Sequence, residues 1–121
     1  MINETKKILK LANVSIVATC VRVPVDYCHG VSITVEFENE FSIEEIKESF
    51  LKQDAIILSD CPNSIEALGT DNVYVGRIRK SLSDSKTLMF YCVADNIRRG
   101  AASNAVLIAL KIIKNCIAYK N

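Results

Sequence analysis

Residues 32–38, SITVEFE, alternate without a break. Ile33, Val35 and Phe37 share one side, and Ser32, Thr34, Glu36 and Glu38 the other. A helix has a period of 3.6 and cannot sort those residues into an apolar and a polar side, whereas a strand does so automatically. The segment reads as a strand with one face in water, the pattern of an antiparallel sheet. Val73–Arg79, VYVGRIR, alternates in the same way. Leu88–Val93, LMFYCV, is apolar throughout and reads as a central strand. Val14–Val23 is rich in β-branched residues and predicts a further strand, closed by Pro24, which lacks an N–H for the ladder. AIIL, residues 55–58, predicts a short buried strand.

Helices fill the intervals. Met1–Leu11 has Ile2, Ile8 and Leu9 against Glu4, Lys6 and Lys7, with no capping residue ahead of it. Ser42 with Glu45 three positions later forms the signature of a capping box and opens a helix to about Lys52, with Ile43, Ile46, Phe50 and Leu51 inward. SDCPNSIEALGTDN is a polar connection punctuated by Pro and Gly. A long helix runs from Ile97 to about Tyr119, with small residues Gly100, Ala101 and Ala102 near its start that let a backbone or flat ligand come close. The order α-β-β-α-β-β-β-α predicts an α+β fold, a mixed and largely antiparallel sheet with helices over one face.

The chain has 121 residues, half of them hydrophobic, which is enough for one compact domain with a core. Its 15 basic and 14 acidic residues are dispersed, so neither a nucleic-acid stripe nor a polybasic membrane patch is expected. No secretory apolar segment opens the chain, and AVLIALKIIKNCIAY is too short and too interrupted by lysine to span a bilayer. Five cysteines at 20, 28, 61, 92 and 116 contain no C-x-x-C pair. They are expected to be reduced and mostly buried in a cytoplasmic protein that binds no metal.

Few residues carry chemistry. His29, the only histidine, stands at the junction between two strands, and imidazole is the side chain best suited to acid/base work near neutral pH. It is either an acid/base or a solvated loop residue. Arg22, seven positions earlier, is either a planar clamp for a carboxylate or a strand-edge ion pair. Arg98 and Arg99 either bind an anion at the helix start or are solvated, the second being favoured. Asn104 lies one turn into that helix, near Gly100, and either meets a ligand amide or is simply exposed. Arg77 and Arg79 read as solvated or interface residues on one face of their strand. No G-x-G-x-x-G and no P-loop occurs.

Three stretches together identify a family: NETKKIL with ATCVRVPV and a histidine over 3–29, DNVYVGRIRKSLS over 71–83, and ADNIRRGAASNAV over 94–106. In order and spacing they resemble the C-terminal part of bacterial aspartate-semialdehyde dehydrogenases across essentially the whole chain. The resemblance implies a dimerisation domain related in fold to the C-terminal domain of glyceraldehyde-3-phosphate dehydrogenase. It implies that Arg22 binds the substrate carboxylate and that His29 is the acid/base. It places Gly100, Ala101 and Asn104 beside the nicotinamide of NADP.

The reaction it implies converts aspartyl phosphate to aspartate semialdehyde and phosphate, reversibly, in lysine, threonine and methionine biosynthesis. The family's Rossmann domain and nucleophilic cysteine segment have no counterpart in these residues, and none of the five cysteines stands in that context. Gly30 stands where a serine usually follows the histidine, and Leu107 where glutamine is frequent. A C-terminal fragment or split subunit is therefore expected, inactive alone, homodimeric, and completed by a separate Rossmann-domain chain. The expected ligand is a small-molecule substrate. Residues 97–119 would be the helix that packs on that missing domain, so self-association of the lone chain follows. A non-catalytic dimerisation module or remnant is the alternative reading, and a small ligand-binding regulatory domain a more distant one.

Overall fold

The computed structural model describes residues 1–118, with side-chain surroundings through residue 115. The chain runs α1 (Ile2–Leu9), β1 (His29–Glu36), α2 (Ile43–Leu51), β2 (Ile56–Leu58), α3 (Ser64–Ala67), β3 (Val73–Lys80) and β4 (Thr87–Ala94). A π-helical turn over Arg98–Ala102 then leads into α4 (Ser103–Ala118). The end expected near Tyr119 lies outside the described residues.

One sheet carries the fold, in the order β1-β4-β3-β2. β4 is central, as its apolar run predicts, and pairs antiparallel with both β1 and β3, while β2 joins β3 in parallel. The fold is α+β with a mixed, largely antiparallel sheet. The His29↔Ala94 and Glu36↔Thr87 pairs mark the ends of an unbroken β1–β4 register. Side chains alternate across that ladder, so Phe90 and Val93 point to opposite faces. Phe90 meets Phe50 of α2 at 5.4 Å between tilted rings, a favourable aromatic geometry. Val93 joins Cys28 and Ala67 of α3 in a buried cluster flanked by Tyr74 and Tyr91.

Helices thus cover both faces, and not one as the element order suggests. The difference is α3, one turn of helix inside the connection read as irregular. It is capped by the Asn63 side chain, which accepts the N–H groups of Ile65 and Glu66. The α2 capping box forms as expected: Ser42 Oγ accepts from the Glu44 and Glu45 backbones, and Glu45 accepts from the Ser42 N–H.

Other expectations fail for identifiable reasons. Val14–Val23 forms no strand, and Val17 and Val21 are 91% and 76% exposed. β-branched residues suit a pleated, half-buried surface, but a strand also needs a neighbour, and no described strand pairs with this stretch. α1 is shorter than Met1–Leu11 because Lys10 turns left-handed, at φ 56°. Leu51 is exposed, not inward, and β2 is only half-buried, with Ile57 at 38%.

The alternation of β3 is interrupted. The register shifts between Gly76 and Arg79, and Arg77 takes φ 57°, so the strand bulges and two residues oppose one. Beside the bulge, Gly76 lets residues 59–62 come close: a Cβ there would sit 1.8 Å from the Ser59 carbonyl oxygen and 2.6 Å from Pro62 Cδ. Gly76→Ala should therefore destabilise the fold by about 1–3 kcal/mol, the usual range for overpacking. A urea-unfolding midpoint equal to that of the parent would show that the loop can move aside.

Candidate functional site

The site is built where β1 begins and β4 ends. Asp95, immediately after β4, is only 5% exposed. A buried carboxylate needs donors, and this one has three. Oδ2 accepts the Gly69 N–H at 2.9 Å, and Oδ1 accepts those of Ile97 and Arg98 at 2.8 and 3.1 Å. These backbone bonds, first among them that of Gly69, hold the Asp95 carboxyl below the usual aspartate range. Asp95 therefore ties the turn after α3 to the start of the last helix.

Its neighbour Asn96 makes the matching tie to β1, accepting the Cys28 N–H at 2.9 Å through Oδ1. Cys28 has φ 72°, unusual for a residue with a side chain, and its thiol donates to the Ser64 carbonyl at 3.5 Å. Next comes His29, exposed, with Nδ1 3.1 Å from the Cys28 carbonyl oxygen. A carbonyl only accepts, so Nδ1 carries the hydrogen of that bond, and in the neutral ring Nε2 is then the nitrogen with the lone pair.

The helix start is arranged separately. Asp71 receives both Arg98 Nε, at 3.1 Å, and Nη2, at 2.9 Å, and accepts the Ser103 hydroxyl as well. Those bonds lower the Asp71 pKa and raise that of Arg98. Arg98 is thus engaged by a carboxylate of its own chain, which answers the anion-site alternative at that residue. The backbone then widens to i→i+5 bonds, Gly100 N–H to the Asp95 carbonyl at 3.0 Å and Ala102 N–H to Ile97 at 3.0 Å. Gly100, Ala101 and Asn104 are all exposed. At Gly100 a Cβ would meet nothing nearer than 3.7 Å, so packing within the chain does not require the glycine.

His29 and the Gly100 turn are brought to the two sides of the Asp95–Asn96 pair. Arg22 is not brought to them by any contact. It lies exposed in the irregular stretch ahead of β1, and the described ion pairs are Met1–Glu4 and Arg98–Asp71 only. The strand-edge ion pair considered for Arg22 is therefore not formed among the described residues. Asp95, Asn96 and Asp71 have no role in the sequence reading. An Asp-Asn pair between an apolar strand and a helix is a capping signal, and it was the available clue.

Cysteine burial is mixed where mostly buried thiols are expected: Cys20 and Cys61 are exposed, Cys28 is buried and Cys92 half-buried. The side chain of Cys116 lies outside the described ones. Desolvation raises the Cys28 thiol pKa, with a smaller push from the Asp95 charge, and burial raises that of Cys92. Cys28, although beside His29, is thus the wrong thiol for a nucleophile. Residues 1–99 match the family described as semialdehyde dehydrogenase, dimerisation domain.

The chain belongs to that family. Among similar proteins, the aspartate-semialdehyde dehydrogenase of Helicobacter pylori strain J99 is 44% identical over 121 residues, covering 95% of this chain and 35% of the relative. That of Aquifex aeolicus is 45% identical over 120 residues, covering 94% of this chain and 35% of the relative. The crystal structure of Vibrio cholerae aspartate semialdehyde dehydrogenase II complexed with ASA superposes with a TM-score of 0.84 at 35% identity, over 94% of this chain and 35% of that one. The chain therefore spans about 35% of the length of these relatives and corresponds to their C-terminal dimerisation part. Among the described residues no helix is long and apolar enough to cross a membrane.

Two expectations test this geometry. A thiol-specific aromatic disulfide near pH 8 should modify Cys20 and Cys61 before Cys28 and Cys92. Early loss of Cys28, read by mass spectrometry of the peptides, would contradict its buried setting. Because the folded pKa of Asp95 is depressed, its contribution is full above the unfolded value of about 4 and is lost as pH falls through the lower folded value. Urea midpoints should drop in acid for the parent and drop less for Asp95→Asn; equal slopes would remove Asp95 from the acid response.

Proposed function

We propose that this chain is the substrate-binding and acid/base part of an aspartate-semialdehyde dehydrogenase, working as a homodimer with a dinucleotide-binding domain supplied from outside these residues. The reaction is the phosphate-dependent oxidation of aspartate semialdehyde to aspartyl phosphate, and its reverse, in the cytoplasm. The observation that supports this reading best is the presentation of His29: the only histidine opens a strand, exposed, with Nδ1 bonded to a carbonyl and Nε2 free.

That arrangement suits a base. In the proposed reaction, a cysteine thiol of the other domain adds to the aldehyde, and His29 Nε2 takes the thiol proton and hands it to the aldehyde oxygen, which gives the thiohemiacetal hydroxyl and restores the neutral ring. It then takes the hydroxyl proton of the thiohemiacetal as a hydride leaves the same carbon. The resulting thioester is cleaved by phosphate, which forms the acyl phosphate and returns the thiolate. Arg22, with its planar fork, binds the substrate carboxylate. Its exposure and lack of any partner among the described residues leave the guanidinium available.

The chemistry NADP would supply, when bound, is that of hydride acceptor. The residues here fit it as a neighbour and not as its main binding site. Gly100 leaves open clearance at the widened turn, and Ala101 and Asn104 flank it, whereas no Gly-rich phosphate turn occurs in the chain. α4 exposes apolar side chains around much of its circumference, Val106, Ile108 and Ile112 between 54% and 59% accessible, and part of that surface would pack on the dinucleotide domain.

The test is reconstitution. The chain alone should show no phosphate-dependent reduction of NADP with aspartate semialdehyde and should associate by light scattering. Mixed with a polypeptide carrying a relative's dinucleotide domain and nucleophilic cysteine, it should turn over. His29→Ala should then lower kcat by about 10²–10⁴-fold, the range for a lost acid/base. Complex formation without activity would support the dimerisation-module reading instead.

A further inference from the structure

We propose that Asn96 is a positioning residue for His29, holding the imidazole in the tautomer that leaves Nε2 free. This rests on the acid/base reading of His29 given above. The argument starts at Cys28. Its backbone is left-handed at φ 72°, a conformation that residues with a Cβ adopt only when their surroundings impose it. Two contacts impose it here. Asn96 Oδ1 takes the Cys28 N–H at 2.9 Å, across 68 residues of sequence, and the thiol is buried against the Ser64 carbonyl at 3.5 Å. Holding the N–H and the side chain fixes φ of Cys28, and the pairing of His29 with Ala94 at the start of β1 holds the far side, so the peptide group joining Cys28 to His29 is constrained from both ends. Its carbonyl then lies 3.1 Å from His29 Nδ1 and selects the Nδ1–H form.

Asn96 can hold Cys28 because Asn96 is itself held. Asp95, immediately before it, is bound by three backbone N–H groups, and one of them belongs to Ile97, immediately after it. His29 has no other polar contact among the described residues, so the Cys28 carbonyl is what orients the ring. The same loop opens the π-helical turn at Gly100, so Asn96 sets the ring relative to the helix start that the proposed function places beside the nicotinamide. A merely structural asparagine would stabilise the loops without biasing the imidazole.

The experiment reads the imidazole directly, which a single histidine makes unambiguous. Long-range proton–nitrogen spectra of the ¹⁵N-labelled 121-residue chain, above the usual imidazole titration range, give the tautomer. The parent should show mainly Nδ1–H; a parent dominated by Nε2–H would overturn the proposal without any variant. Asn96→Ala should shift the ring toward Nε2–H and speed exchange of the Cys28 amide by at least about tenfold, as expected when a protecting bond is removed. Asn96→Asp keeps an acceptor oxygen and should keep the parent tautomer. Asp71→Ala breaks the Arg98 bridge, destabilises the same loops and should leave the tautomer unchanged. An unmoved ring in Asn96→Ala, or an equal shift in Asp71→Ala, would overturn the role. The spectra do not depend on turnover, so an inactive reconstituted enzyme would end the acid/base reading while leaving this result legible.

Discussion

The Asp95 carboxylate, buried and satisfied by three backbone donors, is the interaction on which the rest of this structure depends. A charge taken out of water is tolerated only where donors replace the lost hydration. Those donors come from two loops far apart in sequence, the turn at Gly69 and the start of the last helix. Meeting the carboxylate's needs therefore folds both loops onto the end of β4. Asn96 extends the tie to the loop that enters β1. His29 and Gly100 are thus placed by one short run of residues.

The sheet itself is self-sufficient in a way its surroundings are not. β4 is paired on both edges and carries Leu88 and Val93 at 3% exposure each. Burying a valine or leucine of this kind stabilises by about 1.5–3 kcal/mol, and the two faces share that gain. Outside the sheet the balance changes. Val17, Val21, Val23 and Val25 and most of the described apolar side chains of α4 remain in water, and uncovered apolar surface of that extent favours association. The chain spans about 35% of the length of its relatives, and these uncovered surfaces are consistent with that share. In the proposed enzyme the hydride chemistry belongs to the other domain, while this part contributes a base, a carboxylate clamp and the dimer contact.

Much of the fold was legible because its signals are local. The capping box of Ser42 and Glu45, the central position of LMFYCV and a strand through SITVE each follow from residues within a few positions, although that strand already begins at His29, three residues before the alternation shows. Where the signal was non-local, reading failed. Val14–Val23 has the composition of a strand, but pairing depends on a neighbour that composition does not reveal. The bulge at Arg77 was signalled only by Gly76, a glycine inside a strand, which marks either a bulge or a close approach and here marks both. α3 was hidden because one turn of helix is too short to show a period.

The candidate site divides along the same line. Residue chemistry and three motifs in register were enough to single out Arg22, His29, Gly100, Ala101 and Asn104, and to name the family to which the chain belongs. They could not show that Arg98 is taken by Asp71, that Cys20 and Cys61 are exposed while Cys28 is buried, or that Asn96 reaches back across 68 residues to hold Cys28. The sequence by itself determined which groups are present and which local elements carry them, since helix caps and strand alternation act over a few residues. Only the tertiary structure decided which groups are already engaged and which remain free, because a hydrogen-bond partner is chosen by distance in space and by the cost of leaving a buried polar group unpaired.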